Sequence, residues 1–206
     1  MERIVDLTHL INDCMSVYPG DEQTKLYQTQ FLKIDKFNNH RLEISMHSGT
    51  HIDSPMHLTD REEYIYQFPL ENFIGNGCVI DVRNQSLIKL KDEYKEKITE
   101  NSIVLLYTGF NRIFGTDKYF EQHPIIDMEL VELFVEKKVK LVGIDSPSPD
   151  KDPFEIHKKL FDNNILILEN LTNLEQLISI DNFEVIAFPL KIKADSSILR
   201  VVARTL

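Results

Sequence analysis

The segment His47-Ser48-Gly49-Thr50-His51-Ile52-Asp53-Ser54-Pro55-Met56-His57 gathers three imidazoles and a carboxylate in one short stretch of chain. Imidazole and carboxylate together make a borderline-hard ligand set suited to Zn²⁺, and also to Mn²⁺, Fe²⁺ or Co²⁺. His47 and His51 could converge as i and i+4 of a helix, but Gly49 and the downstream Pro55 favour a strand entered through a turn at Ser48-Gly49-Thr50. The ligands then meet across a loop, with Gly49 free to adopt backbone angles that a side chain disfavours. Asp53, two residues beyond His51, points to the same side of an extended chain. A histidine on its own is most often an ordinary surface residue. HxxxHxD followed by PxH, with turn formers between the donors, points instead to a common task. Two imidazoles and one carboxylate leave coordination positions open, so an ion held there can acidify water, which favours catalysis over a structural role. His57, beyond the stiffening Pro55, is expected to be a general acid/base outside the ligand set. His40, after Asn38-Asn39, reads as a turn residue.

These groups need a scaffold. Strand-like apolar runs recur at Ile4 to Leu7, Val79 to Val82, Ile103 to Tyr107, Leu141 to Ile144, Ile165 to Leu168, Val185 to Leu190 and Ile198 to Val202. A further strand, Arg41 to Met46, alternates Leu42, Ile44 and Met46 on one face and runs into the histidine segment, placing His47 at a strand end. The clearest helix is Asp127 to Lys138, with Asp127 as N-cap and Leu130, Leu133 and Phe134 on one face. Pro153 is expected to start a second helix that carries His157 and breaks at Asp162-Asn163-Asn164. Gly75-Asn76-Gly77 and Gly109 match no phosphate-binding pattern and read as turns. The class is mixed α and β. With no repeat, low-complexity tract or linker, residues 1–206 form one expected domain.

The 206 residues are 42% hydrophobic and 27% charged, ordinary for a globular chain able to bury a core unaided. A formal charge of −10, without a dense basic stripe, argues against nucleic acid and anionic membranes as partners. No signal-like or membrane-length apolar run occurs, so a soluble, cytoplasmic protein is expected. Cys14 and Cys78 are too far apart for a local metal knuckle or redox pair and read as free structural thiols.

The histidine segment resembles the hallmark of the cyclase-type metal-dependent hydrolases, and within them the bacterial kynurenine formamidases: His-(Ser/Thr)-Gly-Thr-His-x-Asp-x-Pro-x-His. The likeness extends to Tyr18-Pro19-Gly20-Asp21, to Gly143-Ile144-Asp145-Ser146-Pro147-Ser148, and to His157 with Ile167-Leu168-Glu169-Asn170-Leu171. It thus spans most of the chain. The resemblance implies a swivelling β/β/α fold, a barrel-like mixed sheet flanked by helices, assembled as a homodimer or homotetramer. It implies two divalent ions, zinc or alternatively manganese: His47, His51 and Asp53 on the first, Asp53, His157 and Glu169 on the second, with Asp53 as bridge. Without it, His157 is an ordinary helix histidine and Glu169 a charge ending a strand.

The implied reaction is hydrolysis of a small aromatic amide, N-formyl-kynurenine to kynurenine and formate in tryptophan catabolism, with His57 giving a proton to the departing arylamine. One position departs from the family: Tyr18 stands where the related formamidases carry the Trp of a Trp-Pro-Gly-Asp turn, and the chain has no Trp. Tyr18 can still stack on an aryl ring, through a smaller face and with a phenol oxygen. Hydrolysis of an isatin-type cyclic amide is the alternative within the same chemistry, and a polyketide-type cyclase a weaker one. A non-catalytic metal-binding protein is disfavoured by the intact ligand set.

Overall fold

The structure, a computed structural model, describes residues 3–206. Its strands are β1 (Ile4–Asp6), β2 (Lys25–Gln30), β3 (Asn39–Glu43), β4 (His51–Asp53), β5 (Ile74–Asp81), β6 (Leu87–Ile88), β7 (Ile103–Tyr107), β8 (Ile125–Ile126), β9 (Leu141–Ile144), β10 (Leu166–Glu169), β11 (Phe183–Ile186), β12 (Ser196–Ile198) and β13 (Val202–Thr205). The α-helices are α1 (Leu32–Asp35), α2 (Asp92–Lys97), α3 (Asp117–Glu121), α4 (Met128–Glu136) and α5 (Glu155–Asp162). Nine strands form one mixed sheet in the order β1-β13-β11-β5-β7-β9-β10-β4-β12. Its centre, β5-β7-β9-β10, is parallel, and the strands flanking it pair antiparallel.

The central strands are near-continuous apolar runs because both faces of the sheet are covered. Leu105, Leu141, Leu168 and Ile52 face one core, which Ile65, Phe73, Leu174 and Leu177 close. Val104, Val142 and Ile167 face the other, under Leu130, Leu133 and Phe134 of α4 and Ile156, Leu160 and Phe161 of α5. Asp127 caps α4 by accepting from the Glu129 N–H, and its apolar stripe is buried as expected.

Only Leu199-Arg200-Val201 separates β12, at one edge, from β13, beside the other edge. Four Cα steps reach no further than about 14 Å, so a sheet of nine strands must curl to bring its edges that close. The result is a half-barrel. The expected Ile198 to Val202 strand is therefore two strands serving opposite edges, a break that a run of apolar residues does not reveal.

Other expectations are corrected. Gly75-Asn76-Gly77 is not a turn but part of β5, which begins at Ile74. A Cβ on Gly77 would meet Phe183 Cε2 at 2.0 Å, so glycine is there for close packing between strands. The Arg41 to Met46 strand ends at Glu43, and Met46 and His47 lie in a turn. His40 lies in β3, not in a turn, and β3 pairs with β2 in a hairpin apart from the large sheet. The Leu42–Ile44–Met46 alternation failed because β3 is largely exposed and has no core to face. The second helix begins at Glu155, after a cis Asp152–Pro153 bond and a left-handed Phe154. The run expected from Val185 to Leu190 pairs only over Phe183–Ile186. Cys14 and Cys78 are free thiols, exposed and buried respectively.

Candidate metal centre

Strand β4 lies antiparallel to β10 with His51 opposite Glu169 and Asp53 opposite Ile167. Because side chains alternate along a strand, His51, Asp53 and Glu169 emerge on one face, the face that α5 covers. Helix α5 buries Ile156, Leu160 and Phe161 and with them His157, beside Glu169. Gly49, at φ 65°, makes the turn that returns His47 towards His51, ring centroids 5.2 Å apart. Thr50 and Asn170 pin that turn to the end of β10: Thr50 Oγ1 donates to the Asn170 carbonyl at 2.6 Å, and Asn170 Nδ2 donates to the Gly49 carbonyl at 3.0 Å.

Each of these three histidines has one nitrogen held by an oxygen and the other turned inward. His51 Nδ1 donates to the Gly49 carbonyl at 2.8 Å, leaving Nε2 3.4 Å from Asp53 Oδ1 and 3.3 Å from Glu169 Oε2. His157 Nδ1 lies 2.5 Å from Asp150 Oδ1, with Nε2 3.3 Å from Glu169 Oε1. His47 Nε2 lies 2.8 Å from Asp195 Oδ2, with Nδ1 2.9 Å from Asp53 Oδ1. An outer oxygen that fixes the tautomer while the other nitrogen faces a carboxylate cluster is the usual setting of a metal-binding histidine.

A metal fits the residues present. His51 Nε2, Asp53 Oδ1 and Glu169 Oε1 are buried without a hydrogen-bond partner, although charged neighbours lie within ion-pair distance. Buried imidazole and carboxylate atoms are costly to leave unsatisfied, and coordination would satisfy all three. Donor atoms converge in two sets, His51-Asp53-Glu169 and His47-Asp53-His57, with Asp53 common to both. Asp53 is the residue the two sets share. The sets divide the histidines differently from the resemblance: His51 groups with Glu169, and His57, expected outside the ligand set, stands close enough to His47 for their ring centroids to be 4.1 Å apart.

Charge in the cluster is mutually sustained. Burial opposes a charged His47, but Asp53 and Asp195 outweigh it and hold the imidazole up at about 9. Burial likewise opposes charge on His157, and Asp150 and Glu169 carry it up to about 10. Burial disfavours an ionised Asp53, yet His51 and His47 hold its carboxyl well below the usual range.

A cavity of about 260 Å³ opens onto this cluster, with His57, His157 and Glu169 at its polar end and Tyr18, Leu58, Phe114, Phe120 and Phe154 among its apolar walls. Tyr18 meets Phe120 edge to face at 5.8 Å. The candidate site residues His47, His51, Asp53, His57, His157, Glu169 and Tyr18 thus lie around one place. Sequence reasoning missed Asp150, Asp195 and four of the wall residues, Leu58, Phe114, Phe120 and Phe154. Asp150 stands two residues after the Gly143 to Ser148 stretch and seven before His157, a spacing with no regular-structure meaning. It acts by capping α5, accepting from the Ile156 N–H at 2.7 Å and the His157 N–H at 3.2 Å.

The model of the Cyclase family (putative cyclase) matches residues 5–151, and the chain belongs to that family. Among its relatives, an uncharacterized protein of Methanocaldococcus jannaschii is 36% identical over 203 residues, 97% of this chain and 98% of the relative. A kynurenine formamidase of Bacillus thuringiensis is 30% identical over 206 residues, 97% and 96% of the two chains. Isatin hydrolase A from Ralstonia solanacearum superposes with a TM-score of 0.86 at 23% identity, over 100% of this chain and 92% of its own. A solved structure described as a potential metal-dependent hydrolase with cyclase activity gives a TM-score of 0.80 at 22% identity, over 100% and 99%. These two likenesses establish the fold. Among the described residues, no helix is long and apolar enough to cross a membrane.

Proposed function

We propose that the chain is a metal-dependent amidohydrolase that cleaves an aryl formamide, with N-formyl-kynurenine as the leading substrate and kynurenine and formate as products. The observation that carries this is the set of three buried donor atoms without a hydrogen-bond partner, on His51, Asp53 and Glu169, beside an aromatic-walled cavity. His47, His51, Asp53, His157 and Glu169 would hold two divalent ions, zinc or manganese, shared through Asp53. Ions so held supply an acidified water and polarise a carbonyl.

The chain's own groups do the rest. Tyr18, Phe114, Phe120 and Phe154 exclude water and seat the aryl ring, so that the formyl group lies at the polar end of the cavity. His57, partly exposed at that end, delivers a proton to the amine nitrogen as the C–N bond breaks. Water thus adds across the amide: its hydroxyl goes to the formyl carbon and a proton to the departing arylamine. A cavity of about 260 Å³ accommodates a substrate of one or two rings. An isatin-type cyclic amide fits the same space and chemistry and is the second reading. A cytoplasmic homodimer or homotetramer belongs to the same proposal. The exposed Phe31, Leu32, Ile34 and Phe37 between β2 and β3 are suited to burial against a second copy.

The test compares kcat/KM for N-formyl-kynurenine, formanilide and isatin with and without a chelator, alongside metal analysis of the purified protein. Chelator-sensitive turnover of a formamide with about two ions per chain is expected. Activity on isatin alone would move the assignment to the second reading. Saturation at one ion would remove the shared-carboxylate arrangement.

A further inference from the structure

Asp195 lies just before β12, 148 residues from His47 along the chain. Its main chain and its side chain do separate jobs. The Asp195 carbonyl accepts from the Ser54 N–H at 3.1 Å and from Ser54 Oγ at 2.6 Å, tying this segment to the residue after β4. The carboxylate takes no part in that tie. It turns instead to two histidines, with Oδ2 2.8 Å from His47 Nε2 and 3.5 Å from His57 Nδ1.

At 2.8 Å the carboxylate accepts a hydrogen bond from His47 Nε2, which therefore carries hydrogen, while His57 turns Nδ1 to the same oxygen within ion-pair distance. In the neutral form that a metal ligand requires, this leaves the His47 Nδ1 lone pair on the side of Asp53. For His57 it leaves Nε2 as the nitrogen free to exchange a proton at the cavity. Ser196 Oγ, 3.0 Å from His47 Nε2, reinforces the first contact. Asp150 behind His157 offers no such separation, because the same side chain also caps α5.

We propose that Asp195 is a positioning residue that fixes the tautomers of His47 and His57 together, linking metal retention to proton delivery through one carboxylate. The kinetic half of this proposal rests on the hydrolase reading above. The metal half does not.

Asp195→Asn preserves size and the main-chain tie to Ser54, and a melting curve monitored by circular dichroism should show its fold retained. Three measurements on it decide. Competition against a chromophoric chelator should show zinc affinity weakened by about 10–100-fold, the usual effect of removing such an outer partner. With zinc saturating and formanilide as substrate, kcat should fall about tenfold or more with KM within about twofold, whereas Asp195→Asn in a His57→Ala background should lose no further rate. Long-range ¹H–¹⁵N spectra of the zinc-loaded protein should show the Nδ1–H form of His57 in the wild type, with that preference lost in the variant. Unchanged zinc affinity, an equal rate loss with His57 absent, or an unaltered His57 tautomer would each overturn the proposal. If the wild type turns over no amide, the hydrolase reading fails while the zinc and tautomer measurements still test the positioning role.

Discussion

His57 differs from His51 and His157 in being only partly buried, and this sets its expected phenotype. His57→Ala should retain zinc and fold while losing about 10²–10⁴-fold in turnover, the range for a positioned proton carrier. Zinc content and rate are to be measured on one sample. Metal lost in step with rate would make His57 a ligand, as its closeness to His47 and Asp53 permits. At this scale the chain was legible where donors lie close in sequence: HxxxHxD becomes a turn plus an alternating strand, and both periods can be counted. Glu169 and His157 required the family resemblance, since nothing local distinguishes them from a strand-end charge and a core histidine. Asp195 was illegible for a different reason. Its partners are brought to it by the pairing of β12 with β4, and no spacing encodes a contact between chain segments so far apart.

The face on which β4 and β10 present their donors depends on register. A slip by one residue would turn His51, Asp53 and Glu169 into the apolar core and bring Ile52 and Leu168 out. The strands that prevent it are those the sequence showed best, because β7, β9 and β10 are buried on both faces and read as unbroken apolar runs. Strands with a partner but little burial, β2 and β3, left a weaker trace, and β5 was under-read because its glycines resemble a turn. That strand yields a direct test. Gly77→Ala places a methyl against the Phe183 ring and should destabilise by about 1–3 kcal/mol through overpacking. Urea unfolding would show this as a lower midpoint with an unchanged slope. A midpoint equal to wild type would mean that Phe183 swings aside freely and that β5 and β11 are less closely packed than they stand here.

For the molecule as a whole, the charged histidines tie stability to pH in a direction opposite to that of carboxylates. Unfolded histidines titrate near 6.5, whereas His47 and His157 in the metal-free fold are held up at about 9 and about 10. A raised folded value contributes stability that is complete below about 6.5 and is lost as pH climbs through the folded values. The melting temperature of chelator-treated protein should therefore fall between about pH 7 and 10. Zinc requires neutral imidazoles, so its affinity should tighten across the same interval and shield the loaded protein from that fall. Identical profiles with and without chelator would exclude this linkage. A last consequence follows from the position of β4 between β10 and β12. Three stretches of chain remote from one another, around residues 51, 169 and 196, are side by side there, and an ion on the first two would act as a removable cross-link. Proteases attack the opened chain, so trypsin should cut the loaded protein slowly and the chelated protein quickly, with equal rates ruling the cross-link out. Catalytic competence and persistence would then expire together, and a metal-starved copy would be degraded before it could linger as an inactive competitor for substrate.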